Sequence, residues 1–211
     1  MTTQNSFDIT STLQRHPEFP DYLEFTISAV IEGQKPIAKL TGYRWDFRSI
    51  PTLEEITFND FVEAYNTDGG LCFDVLAAHT ALVSNVLGVG DRSFKKLITR
   101  AIYLDKVKVS PEWRGHNLAL RLMREARFIF NGKGTIALLR AYPFEEENAA
   151  LDVQLKLAGY YASDAFCGFK VIDGDRFGGH MAALWDGDVD HCDDNPFWEP
   201  PQVQTSDPSS G

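Results

Sequence analysis

The stretch Leu104-Asp-Lys-Val-Lys-Val-Ser-Pro-Glu-Trp-Arg-Gly-His-Asn-Leu-Ala119 decides the fold. It reads as a strand, a tight turn and a helix start. Val107 and Val109 lead into Ser110-Pro111, a turn signal. Arg114 and Gly115 follow. Then Ala119, Leu122, Met123, Ala126, Ile129 and Phe130 recur at the spacing of one helical face. The first N–H groups of such a helix have no partner within it. Beside an arginine they form a ready cradle for phosphate.

The strand before the turn, read over 97–109, changes phase. Ile102 and Leu104 share one face, whereas Val107 and Val109 fall on the other. A β-bulge near Asp105-Lys106 would explain this, since one extra residue exchanges the faces. A strand buried on both sides would explain it equally well.

Outward from this stretch the pattern is that of an α/β domain. Residues 1–20 are polar and read as irregular. Tyr22–Glu32 and Lys35–Phe47 read as a hairpin around Gly33-Gln34. Phe58, Phe61, Val62 and Tyr65 mark one helix. The stripe Cys72, Val75, Leu76, His79, Leu82, Val83 and Val86 marks a second. After the helix 118–131, Gly132-Lys-Gly134 turns the chain into Thr135–Tyr142, a nearly continuous apolar run suited to a central parallel strand. Glu145, Glu146 and Glu147 then open a further helix that Gly159 would cap near Ala158. Tyr160–Ile172 and Gly179–Trp185 read as a closing strand pair. The reading divides the chain into a domain over 1–186 and an acidic, Pro-rich tail over 187–211.

Composition narrows the classes. A chain of 211 residues with 44% hydrophobic content can build a real core. Its net charge of −10 argues against a nucleic-acid binder, which needs a basic face. No apolar run is long enough to span a bilayer, and Met1 to Asp8 has no secretory pattern, so no membrane partner is expected. Cys72, Cys167 and Cys192 offer neither a disulfide framework nor a metal spacing, which favours the cytoplasm. Asp186-x-Asp188-x-Asp190 has His191 and Phe197 where a calcium loop needs glycine and glutamate, so no metal site is expected.

The pattern V-x-V-x-P-x-x-R-G-x-x-x-A before an amphipathic helix resembles the pyrophosphate loop of the GNAT superfamily of acyl-CoA-dependent N-acyltransferases. The family's loop runs Arg/Gln-x-x-Gly-x-Gly/Ala. This chain has Arg114-Gly-His-Asn117-Leu-Ala119, so asparagine stands at the middle glycine. Asparagine tolerates left-handed backbone better than most residues. The resemblance implies a mixed, mostly antiparallel central sheet with a splayed parallel strand pair, flanked by helices. It implies acetyl-CoA or another acyl-CoA as cofactor and an amine, small-molecule or protein, as acceptor. It leaves a homodimer open.

On the same resemblance, Arg114 and the backbone of Gly115, His116, Asn117, Leu118 and Ala119 would hold the pyrophosphate. Val107 and Val109 would pair with the pantetheine arm, and Asn148 would help at the thiol end. Asp105 at the suspected bulge is the first candidate base and His79 the second. The family's thiolate-protonating tyrosine would fall at Leu155 here. Tyr142, at the tip of the central strand, is the candidate substitute, with Tyr160 and Tyr161 placed past the helix end. Two rivals follow: a GNAT-fold module that binds acyl-CoA or a protein without turnover, and an unrelated phosphate-binding domain.

Overall fold

The computed structural model describes residues 7–15, 22–46, 85, 87, 88, 98–143, 150–172 and 179–187. Its strands are β1 Asp8–Arg15, β2 Tyr22–Val30, β3 Ala38–Asp46, β4 Arg100–Val109, β5 Thr135–Arg140, β6 Lys170–Val171 and β7 His180–Leu184. They form one sheet in the order β1-β2-β3-β4-β5-β7-β6. Every neighbouring pair is antiparallel except β4 and β5. This is the mostly antiparallel sheet with one parallel pair that the resemblance implies. The two long helices described are α1 Leu118–Phe130 and α2 Leu151–Ala162.

Helix α1 covers β2, β3 and β4. Its buried stripe is Leu118, Ala119, Leu120, Leu122, Met123, Ala126 and Phe130. The sheet answers with Phe25, Ile27, Leu40, Ile102, Leu104 and Leu139. Each large side chain fully buried there contributes about 2 kcal/mol of transfer free energy.

Three expectations need correction. Residues 8–15 are not irregular but form the edge strand β1, paired with β2 along its whole length. Most of β1 is exposed, so its polar side chains show no apolar alternation, and only pairing defines it. The last long helix described opens at Leu151 after an Ala150 cap, and the glutamates expected at its start lie outside the described residues. Nor does Gly159 end it. Gly159 is helical, and α2 continues through Tyr160 and Tyr161 to Ala162, with Ser163 as its cap. Among the described glycines, the left-handed ones that could close a helix are elsewhere. The strand expected from Tyr160 therefore shrinks to Lys170–Val171. Asn85 and Leu87 are helical, as the second apolar stripe predicts. The rest of that stripe, His79 included, lies outside the described residues.

The end of α2 is fixed to α1 by a short ion pair, Arg124 Nε to Asp164 Oδ2 at 2.6 Å. Asp164 is buried and also accepts the Cys167 N–H at 3.0 Å. Burial, then the neighbouring Asp164, pushes the Cys167 thiol up, so it stays protonated and is no nucleophile.

Candidate functional site

The site begins with one extra residue in β4. Thr41 pairs with Lys106 and Gly42 with Leu104, so Asp105 is the extra residue between two register pairs. The bulge expected near Asp105-Lys106 is therefore present, at Asp105. Its effect is to restore phase. In a regular strand Ile102 and Val107 would face opposite ways. Here Ile102, Leu104, Val107 and Val109 pair with Arg44, Gly42, Leu40 and Ala38, which share one face. That face meets α1.

The bulge is also where β4 leaves β5. Parallel pairing runs from Arg100↔Thr135 to Leu104↔Leu139 and stops there. Beyond it β4 continues to Val109 while β5 ends at Arg140. The two strands splay, and a cavity of about 540 Å³ occupies the gap. Asp105, Val107 and Val109 line it from one lip and Arg140 and Tyr142 from the other. Helix α2 closes it with Leu157, Tyr160 and Tyr161, at the spacing of one helical face.

The loop that leads into α1 lines the cavity with Trp113, Arg114, Gly115 and Asn117. Pro111–Trp113 form a short 3-10 turn and Arg114 is extended. Gly115 has φ 82° and Asn117 has φ 56°. Asn117 is the one left-handed residue other than glycine among those described. It is the N-cap of α1 but makes no capping hydrogen bond through its side chain. The cap side chain thus takes up neither the Leu118 nor the Ala119 N–H, and an anion can use them. Asparagine takes the conformation for which the family's loop carries glycine, so the sequence departure leaves the backbone path intact. Arg114 Nε reaches the Val109 carbonyl at 3.4 Å, which ties the loop to the strand end.

Of the expected site residues, Asp105, Val107, Val109, Arg114, Gly115, Asn117, Leu118, Ala119 and Tyr142 all line the cavity. His116 does not. Its ring meets the edge of Trp113, with centroids 6.1 Å apart. His79 and Asn148 lie outside the described residues. Leu155 is 60% exposed and takes no part in the lining.

Sequence reasoning set aside Tyr160 and Tyr161 because Gly159 looked like a helix end. The signal available was their i, i+3, i+4 relation to Leu157. Burial raises the pKa of Tyr160, opposed by a hydrogen bond with the Leu120 backbone. That bond joins α2 to the first turn of α1. Burial, then Tyr160, pushes Tyr161 up to about 12. Both phenols therefore stay neutral near pH 7.

No family model matches the chain, and no curated protein does. Among solved structures, one similar chain is an agmatine N-acetyltransferase mutant in its apo form, with TM-score 0.39, 15% identity and 75% of each chain covered. Another is a polyamine N-acetyltransferase from Drosophila melanogaster, with TM-score 0.38, 16% identity, and 75% of this chain and 74% of that one covered. A third is arylalkylamine N-acetyltransferase 2 from Aedes aegypti, with TM-score 0.39, 10% identity, and coverage of 76% and 73%.

Proposed function

We propose that this chain is an acyl-CoA-dependent N-acyltransferase of the GNAT type, with acetyl-CoA as donor and an amine as acceptor. One observation carries the reading. A single bulge splays the parallel pair, and the resulting cavity opens beside a helix N-terminus whose loop is held open by left-handed Gly115 and Asn117.

The residues fit the cofactor. The Leu118 and Ala119 N–H groups and the Arg114 guanidinium suit a pyrophosphate. Beyond Leu104 the edge of β4 is not paired with β5, so its backbone groups can bond an amide-bearing arm. Leu118, Met123 and Leu157 give that arm an apolar wall. When bound, acetyl-CoA supplies an activated acyl carbon.

The chain's part is to manage protons around it. Asp105 takes a proton from the incoming ammonium, directly or through water. With the donor in place, the freed amine would bond to its acyl carbon as the carbon–sulfur bond breaks, and the nitrogen would give its second proton to water. A backbone N–H at the bulge would steady the carbonyl oxygen. Tyr142 gives its proton to the departing thiolate and recovers one from solvent. Amide, thiol and one released proton result.

Calorimetry with acetyl-CoA tests the binding half. We expect micromolar affinity, weakened at least tenfold in Arg114→Ala. The chemical half is tested by Tyr142→Phe, expected to lower kcat by about 100-fold, in line with general-acid contributions, at unchanged cofactor Kd. No binding at millimolar acetyl-CoA sinks the proposal. Binding without turnover across a broad amine panel would favour a module that only holds acyl-CoA, the reading to which Leu155 points.

A further inference from the structure

Helix α1 receives its cap from an unusual direction. Asn117, the residue before it, makes no capping bond through its side chain. The N–H that such a side chain ordinarily takes is that of the second or third helical residue. Leu120 is the third residue of α1, and its N–H goes to the phenol oxygen of Tyr160, on α2. Burial raises the Tyr160 pKa and this bond opposes it, as a bond received by the oxygen does.

The contact is held in register. Asp164, four residues beyond Tyr160, pairs with Arg124, four residues beyond Leu120, at 2.6 Å. Side chains four apart lie on one face of a helix, so Leu120 and Arg124 meet the end of α2 one turn apart. The Tyr160 ring also packs on that of Tyr161, with centroids 5.6 Å apart. Tyr160 lines the cavity together with Arg114, Leu118 and Ala119, whereas Leu120 does not. The phenol therefore stands between the Leu120 N–H and the space that the other two N–H groups serve.

A phenol oxygen that accepts one hydrogen bond still has its O–H to give. We propose that Tyr160 is a further donor to the cofactor's pyrophosphate: its O–H bonds a phosphate oxygen while its own oxygen holds the Leu120 N–H. Each bond in such a chain polarises the next, so the phenol relays to the anion the pull of an N–H set back from the cavity. The proposal rests on the acyltransferase reading and adds a residue to its cofactor site. It concerns binding, and Tyr142 keeps the proton transfer.

The test is calorimetry with acetyl-CoA, inorganic pyrophosphate and acetyl-pantetheine, on the wild type and on Tyr160→Phe. Phenylalanine keeps the ring over Leu120 and removes only the oxygen. We expect acetyl-CoA and pyrophosphate to bind the variant about tenfold more weakly, the loss of one charge-assisted hydrogen bond. Acetyl-pantetheine carries the acyl arm without the phosphates and should treat the two proteins alike. Thermal melts check that the variant folds. Tyrosine NMR, with the carbon bearing the phenol oxygen labelled, needs no change at position 160. One of the seven tyrosine resonances should move when pyrophosphate is added, and it should survive in Tyr142→Phe and in Tyr161→Phe. Unchanged pyrophosphate affinity, equal weakening of acetyl-pantetheine, or no such moving resonance overturns the relay and leaves the acyltransferase standing. No binding of acetyl-CoA to the wild type overturns both.

Discussion

Asn117 carries the largest local decision in the chain. A left-handed conformation costs an ordinary L-residue roughly 1–2 kcal/mol, and asparagine less. The chain enters α1 in that conformation, with φ 56° at Asn117. Asn117→Gly should therefore keep stability within about 0.5 kcal/mol and keep acetyl-CoA affinity. Asn117→Val should lose about 1–2 kcal/mol in urea denaturation and weaken the cofactor with it, because a β-branched side chain resists positive φ. Equal stability of the two variants would show that the loop tolerates another path. This residue was legible in the sequence because both its place in the motif and its backbone preference are local. Tyr160 was not, because its role depends on whether Gly159 continues a helix or ends one. Glycine is compatible with either, and the packing of α2 against α1 settles it.

The element that defines the site is the bulged strand β4, and it depends on its neighbour. Gly42 sits opposite Leu104, where the register shifts. A Cβ there would stand 2.3 Å from the Tyr103 carbonyl oxygen and 2.5 Å from Phe25 Cζ. One of these neighbours is backbone and cannot swing aside. Gly42→Ala should thus destabilise the protein by about 1–3 kcal/mol, as overpacking does. It should also weaken acetyl-CoA binding, since relief requires the two strands to part at the bulge. A variant as stable as the wild type would sink this account of the close approach. The elements written in one strong period were readable from sequence: α1 with its stripe, β5 with its continuous apolar run, and the bulge from the phase of Ile102, Leu104, Val107 and Val109. Strand β1 was not readable. Thr10, Ser11, Thr12 and Gln14 are exposed, and their structure comes from the ladder to β2 rather than from burial.

At the scale of the whole molecule, a buried phenol makes stability depend on alkaline pH. The folded state holds the Tyr161 proton up to about 12, whereas the unfolded chain releases it near the ordinary value of about 10. Stability is then fully present below pH 10 or so and falls as pH rises toward the folded value. The slope approaches roughly 1.4 kcal/mol per pH unit from this one group. Denaturant titrations between those limits should show the fall, and Tyr161→Phe should flatten it. An unchanged slope in the variant would assign the effect to other groups. A different whole-molecule property follows from where β3 ends and β4 begins. Asp46 and Arg100 are register partners, joined by an ion pair at 3.4 Å. The same pairing closes the β3–β4 ladder at the end away from the bulge, so a charge pair at one end and a close glycine contact at the other hold the strand register between them.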